Sequence, residues 1–209
     1  MPHYYNKQQV QDVGKIISGK LTWRLNFLIQ APLIEIDDSP NEDNDDDAHI
    51  KQFDQLIRRH DLEDVDLVSL SQPSFLTDRV LIAACNLLRK DYGAGCGLQD
   101  PIIGQTLNFQ QRSDFIQILH TGANHWITVT NFGCERGEVM VMDSLVRPES
   151  GPRSSQISFN VKEQICNILQ PKEDVLKLTV CPVQQQEPLS NDCGLFAVAF
   201  AQYVLQYKT

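Results

Sequence analysis

Ser190–Phe200, which reads SNDCGLFAVAF, is a polar turn that leads into an apolar run, and it decides how this chain folds. No charged residue follows Cys193 until Lys208, so we expect a buried helix that begins at the cysteine, with Asp192 as a plausible N-cap and Gly194 allowing another backbone to come close. Unpaired backbone N–H groups and the helix dipole favour a thiolate at such an N-terminus. The stretch therefore indicates a nucleophile, and an inert buried thiol is the alternative.

Composition narrows the class of protein. The chain has 209 residues, enough for one domain and an appendage, and its net charge of −9 argues against nucleic acid as the main partner. No apolar run approaches the roughly 18 residues of a membrane span. The six cysteines are scattered without a C-x-x-C pair, which is typical of reduced thiols rather than of a disulfide framework or a zinc site. We expect an intracellular protein, nuclear or cytoplasmic, without a metal or cofactor.

The charge pattern divides the chain into two regions. Residues 1–60 form an acidic N-terminal extension, and the block of like charge at 37–47 predicts a disordered linker. Short helices are expected near 10–17 and 48–60. The distribution of apolar and polar residues over 61–209 is typical of a globular domain.

The pattern of apolar residues in the second region predicts an α+β fold. Helical spacing begins at Thr77 or Asp78 and continues to Lys90, and a second helix is expected over 156–169. Segments 115–120, 125–130 and 139–142, joined by short turns, read as an antiparallel meander. A fourth strand is expected over 175–180, and 97–109 is predicted to be a loop.

Three separated positions suggest a site for nucleophilic catalysis. His125 opens the second strand of the meander and Asp143 follows the third, so a tight turn can bring the two side chains together. A carboxylate that orients an imidazole next to Cys193 would give the nucleophile, base and orienting group of a thiol enzyme. The glutamines at 184–186 can supply an oxyanion donor. Each residue taken alone also has an ordinary structural explanation.

The order of these motifs resembles the ubiquitin-like-protein-specific cysteine protease family of the Ulp/SENP type. The matching elements are His125-Trp126, Asp143-Ser144, the glutamine-rich segment and Asp192-Cys193-Gly194, within residues 70–209. Phe75-Leu76-Thr77-Asp78 resembles the Trp-Leu-x-Asp segment of that family. Four segments resemble, more narrowly, a divergent invertebrate branch of the family that is associated with mobile elements. They are Gly104-Gln105, Ile118-Leu119-His120, Asn124-His125-Trp126 and 191–197.

The resemblance implies a papain-like α+β fold, with a mostly antiparallel central sheet and the nucleophile at the N-terminus of a buried helix. It further implies cleavage after the C-terminal Gly-Gly of a ubiquitin-like modifier of the SUMO or NEDD8 type. Cys193 would be the nucleophile, His125 the general base and then acid, and Asp143 the residue that orients His125. A glutamine and the Cys193 backbone N–H would hold the oxyanion.

The same resemblance assigns substrate-binding residues and reveals departures from the family pattern. Trp126 and Phe75 would sandwich the Gly-Gly tail, although the family usually has tryptophan where this chain has Phe75. Asp78 is assigned to substrate binding with these two residues. Six residues separate Gln186 from the cysteine where the family leaves five, so Gln186 is the expected oxyanion residue and Gln185 the alternative. Relatives commonly continue with a further helix, so we expect a shortened copy.

Two alternatives to a modifier-specific protease remain at this stage. The first is a module that binds a modifier but no longer turns it over. The second is a protease that processes the polyprotein of a mobile element at glycine-rich sites. In either case the expected partner is a polypeptide, most simply a ubiquitin-like modifier and its conjugates, bound by a monomer.

Overall fold

The computed structural model describes residues 61–71, 74–145, 157–171 and 176–207. The helices predicted at 10–17 and 48–60 and the linker predicted at 37–47 lie outside these residues. Among the helices within them, none combines the length and apolar character that crossing a bilayer requires.

A four-stranded sheet forms the centre of the fold, in the order β1-β2-β3-β4. Its first three strands are antiparallel, as the meander predicted, whereas β4 lies parallel to β3. The parallel pairing requires a crossover, and a helix over Phe159–Leu169 lies between the two strands in the chain. The strands are β1 Ile116–His120, β2 Trp126–Thr130, β3 Glu138–Met142 and β4 Lys177–Val180.

Four α-helices accompany the sheet: α1 Asp64–Ser71, α2 Asp78–Tyr92, α3 Phe159–Leu169 and α4 Cys193–Gln206. The prediction for α2 is confirmed at its start, where the Thr77 side chain accepts a hydrogen bond from the Val80 N–H at 3.3 Å. The helix ends at Tyr92 because Gly93 adopts a φ of +80°. The α3 helix begins later than predicted, with Ser158 as its N-cap.

Helix α1 was not predicted, because two of its apolar residues face solvent and one of its charged residues is buried. Val65 and Val68 are exposed, whereas Asp66 is 1% exposed. The buried carboxylate accepts hydrogen bonds from the Glu63 N–H at 2.8 Å and from the Thr77 hydroxyl. Asp66 therefore caps its own helix and ties α1 to the start of α2.

Side chains alternate between two hydrophobic cores on the two faces of the sheet. Helices α2 and α4 pack on the face that includes Ile118 and Met142, and α3 packs on the face that includes Val129 and Val141. The Thr128 hydroxyl on β2 donates a 2.6 Å hydrogen bond to the Ala197 carbonyl of α4. The contact joins α4 to the strand that follows His125.

The predicted loop at 97–109 is ordered by a buried pair of amides. Gln117 on β1 is fully buried, accepts a hydrogen bond from the Gln99 N–H at 2.8 Å and donates to the Gln99 carbonyl at 3.1 Å. The segment also contains a short 3₁₀ helix over Pro101–Gln105, and another precedes it over Ala94–Cys96. Since both backbone groups of Gln99 are satisfied by one side chain, the loop is fixed against the sheet.

Two glycines with nearly the same φ test how tightly that loop is packed. Gly97 and Gly133 have φ of +74° and +72°, but a Cβ on Gly97 would lie 2.7 Å from the Asp114 carbonyl oxygen, whereas one on Gly133 meets nothing within 4 Å. We expect Gly133→Ala to lower the free energy of unfolding by about 1–2 kcal/mol and Gly97→Ala by roughly 1–3 kcal/mol more. Urea denaturation of both variants measures this, and equal losses would contradict the packing argument.

Candidate active site

Cys193 is the first residue of α4, and its side chain is almost completely buried, with 1% exposed. Asp192 occupies the N-cap position as predicted, but its side chain accepts no capping hydrogen bond from the first turn. Gly194 permits a close approach, although the neighbour is the side chain of Leu76, 3.3 Å from where a Cβ would lie, rather than a backbone. The N–H groups of the first turn and the helix dipole place positive partial charge at this end of α4.

His125 and Asp143 meet at one edge of the sheet. The strand register pairs Thr128 of β2 with Met142 of β3. His125 lies just before β2 and Asp143 just after β3, so this register brings the two residues side by side. The Nε2 atom of His125 lies 2.7 Å from Oδ1 of Asp143, and the same oxygen accepts the Leu145 N–H at 2.8 Å. A carboxylate is only an acceptor, so Nε2 carries the proton and Nδ1 is left to face a second group.

The Cys193 sulfur is that second group. Nδ1 of His125 is buried and has no hydrogen bond to the residues that the structure describes. Burial lowers the pKa of His125, but the hydrogen bond that His125 donates to Asp143 and the nearby Cys193 sulfur outweigh this effect and raise the pKa to about 9. The pair is therefore arranged to hold an imidazolium beside a sulfur at neutral pH.

Asn124 supports this arrangement through its backbone. It adopts a φ of +53°, a conformation that asparagine tolerates better than most residues. Its carbonyl oxygen lies 4.0 Å from the Cys193 sulfur. The turn before β2 thus supplies both the imidazole and a neighbouring carbonyl to the sulfur.

The glutamine segment packs beside the triad positions through its third residue. Gln186 is buried; its Oε1 accepts a 2.8 Å hydrogen bond from the Ser144 hydroxyl and its Nε2 donates to the Ser190 carbonyl at 2.8 Å. The Gln186 N–H also donates to the Ser144 carbonyl at 2.9 Å. Gln185 is exposed and donates to the Asp143 carbonyl at 3.0 Å. The structure therefore places Gln186 inward and Gln185 outward.

The expected substrate-binding residues surround the same region. Trp126 is 6% exposed and its ring is covered by that of His120, with centroids 4.8 Å apart. Phe75 is 49% exposed and precedes Leu76, which packs on Gly194 beside the nucleophile. Asp78, the first residue of α2, is exposed.

Sequence reasoning did not assign a role to His120. Burial lowers its pKa, the charge of Asp78 opposes that effect, and the nearby His125 adds to it. His120 therefore lies within the electrostatic reach of both residues and forms part of the site wall. In the sequence His120 ends a predicted strand, one turn before His125, and belongs to the Ile118-Leu119-His120 match with the divergent branch.

Metal coordination has no candidate within the described ranges. No group of three or more histidine, cysteine or carboxylate side chains there could hold an ion. All six cysteines are free thiols. The chemistry that the site offers is nucleophilic attack by a thiolate, with proton transfer through an oriented imidazole.

Comparisons with known proteins identify the fold. No protein-family model and no curated protein matches the sequence. A solved de-sumoylating protease shares 16% identity over 69% of this chain and 68% of its own, with a TM-score of 0.50. A structure of the SUMO protease Ulp1 with its catalytic cysteine oxidised to a sulfonic acid shares 12% identity, with a TM-score of 0.53. A second Ulp1 structure, in which that cysteine is oxidised to a sulfinic acid, shares 11% identity, with a TM-score of 0.52. Each match covers 98% of this chain and 86% of the Ulp1 chain.

At such identities the likeness establishes the fold. The predicted α+β architecture is confirmed, and so is the resemblance to Ulp/SENP proteases at the level of the fold. The chain has the fold of the SUMO protease Ulp1.

Proposed function

We propose that this protein is a thiol protease or isopeptidase that cleaves after the C-terminal Gly-Gly of a ubiquitin-like modifier of the SUMO or NEDD8 type. The observation that carries the proposal is the 2.7 Å contact between His125 and Asp143, beside Cys193 at the N-terminus of a buried helix. It occurs in a fold shared with a de-sumoylating protease and with a SUMO protease. We further propose that the enzyme acts as an intracellular monomer without a cofactor.

In the proposed mechanism the thiolate of Cys193 attacks the carbonyl carbon of the terminal glycine. His125, held by Asp143, donates its proton to the departing amine as the carbon–nitrogen bond breaks, which leaves a thioester on Cys193. His125 then removes a proton from water, which attacks the thioester carbonyl and releases the carboxylate and the thiol. The pKa of His125, about 9, keeps a proton available for the first of these transfers at neutral pH.

The oxyanion of each tetrahedral intermediate requires hydrogen-bond donors. We assign these to the Cys193 backbone N–H and to Gln186, with Gln185 as the alternative. The Gln186 amide carries two hydrogens, one of which is donated to Ser190, so the second can be given to an oxyanion. Its burial favours Gln186 over the exposed Gln185.

The substrate tail would enter between aromatic side chains. Phe75 offers an exposed ring, whereas the Trp126 ring lies behind His120. Glycine residues suit such a passage because they lack a side chain and let the backbone approach closely. We assign Phe75, Trp126 and Asp78 to this part of the site.

Covalent capture tests the proposed activity directly. Modifiers of the SUMO, NEDD8 and ubiquitin types that carry a C-terminal electrophile are incubated with the wild type and with Cys193→Ser. We expect an SDS-stable gel shift with one class of modifier and none with the variant, because only a thiolate at position 193 adds to the electrophile. If no modifier is captured by folded protein, the proposal is wrong, and cleavage of Gly-Gly peptides then separates a polyprotein protease from an inactive module.

The raised pKa of His125 predicts a pH dependence of stability. Its folded value of about 9 exceeds the ordinary 6.5, so the imidazolium stabilises the fold fully below pH 6.5, and this contribution is lost as the pH rises through 9. We expect Asp143→Asn to lower the free energy of unfolding by roughly 1–3 kcal/mol near pH 6 and by much less at pH 10.

Urea denaturation between pH 6 and 10 measures this dependence. Asp114→Asn, at an exposed carboxylate, is the control and should show little change across the range. A loss for Asp143→Asn that stays constant over the whole range would contradict the titration of His125.

Three variants distinguish the roles of the glutamine segment. Gln186→Ala should lower kcat about 10²–10³-fold because it removes an oxyanion donor, whereas Gln185→Ala should change it little. Ser144→Ala removes only the hydroxyl that binds Gln186 and should have a smaller effect than Gln186→Ala. Equal losses for Ser144→Ala and Gln186→Ala would mean that Gln186 acts by holding the loop and not as a donor.

A further inference from the structure

The segment that leads into Cys193 contains a tight turn with a leucine in an unfavourable conformation. The Ser190 N–H donates to the Glu187 carbonyl at 3.0 Å, and Pro188 and Leu189 lie between them. Leu189 has a φ of +67°, so the pattern is that of a type II turn with proline at its second position. The third position of such a turn favours glycine or asparagine, because a side chain there is strained.

The turn is hydrogen-bonded to the loop that follows β3. The Gln186 side chain donates to the Ser190 carbonyl at the end of the turn and accepts from the Ser144 hydroxyl, both at 2.8 Å. The Gln186 N–H adds a bond to the Ser144 carbonyl. Because Ser144 adjoins Asp143, the turn is joined to the strand end that orients His125.

Folding gives no reason for a leucine at this position. The Leu189 side chain is 100% exposed, so it buries no apolar surface in the fold. Its backbone conformation costs free energy that asparagine or glycine would largely avoid. Across the Ser144–Gln186 bonds, Leu145 is also exposed, at 42%. A strained backbone that carries an exposed apolar side chain beside a candidate active site is an observation from which a functional role can be inferred.

We propose that Leu189 is a specificity-determining residue that packs against an apolar surface of the protein substrate, next to the bond that Cys193 attacks. The inference rests on the proposed function, because the substrate protein is the occupant. Leu189 lies four residues before the nucleophile, on a turn fixed beside it. The backbone between residues 189 and 193 spans at most about 14 Å, so a protein bound at Cys193 comes within reach of this side chain.

Two substitutions separate contact from conformation. Leu189→Asn removes the apolar side chain but suits the left-handed conformation, and Leu189→Met keeps an apolar side chain. Tyr207→Ala, at an exposed residue just beyond the other end of α4 and about 20 Å away by helix length, is the matched control.

The measured quantity is the rate constant for capture of a modifier that carries a C-terminal electrophile. We expect Leu189→Asn to reduce it at least tenfold, and Leu189→Met and Tyr207→Ala to stay within threefold of the wild type. The rate of Cys193 alkylation by iodoacetamide should be unchanged in all variants, and the urea midpoint of Leu189→Asn should equal or exceed that of the wild type.

The outcomes distinguish the two proposals. If the wild type captures a modifier and Leu189→Asn captures it equally fast, the role of Leu189 is wrong and the proposed function stands. If Leu189→Asn loses alkylation or stability together with capture, Leu189 is structural and the inference is also wrong. If the folded wild type captures no modifier, both proposals fail.

Discussion

The burial of α4 against the sheet is the constraint on which the rest of the structure depends. The helix is apolar along nearly its whole length, so it must lie between α2 and the strands, and the Thr128 hydroxyl joins it to β2 through the Ala197 carbonyl. Once the helix is fixed in this way, its first residue can occupy only one place. That place is the edge of the sheet where β2 begins and β3 ends.

Antiparallel pairing supplies the second half of the site. Because β2 and β3 run in opposite directions, the residue before one strand and the residue after the other share an edge. His125 and Asp143 meet there at 2.7 Å, and the hydrogen bond leaves the other ring nitrogen for the sulfur. Helix packing positions Cys193, and strand register positions His125 and Asp143. The geometry of the three side chains depends on both interactions.

Strained backbone and buried polar contacts also occur next to these three side chains. Asn124 and Leu189 both have positive φ, one beside the sulfur and the other on the turn before it. The Ser144–Gln186 bonds connect the loop after β3 to the segment before α4 at a buried position. Such features are maintained at functional sites when the surrounding structure over-determines them, and here the well-packed sheet and helix do so.

The sequence by itself determined the elements whose signals are local. The apolar run after Cys193, the helix from Asp78 and the three strands of the meander follow from periodicity and turn residues, which depend on near neighbours in the chain. The motif order was sufficient to indicate the fold, which the solved structures bear out. Only the tertiary structure decided which partners the polar side chains take.

Those partners come from residues far apart in the sequence. The buried carboxylate of Asp66, the amide pair of Gln99 and Gln117 and the inward orientation of Gln186 each depend on such a contact. The parallel pairing of β4 with β3 and the cover of His120 over Trp126 arise in the same way. A buried polar group forms hydrogen bonds with whichever partner the packing brings close to it. The pattern of residues along the sequence does not specify that partner, so it could not be predicted.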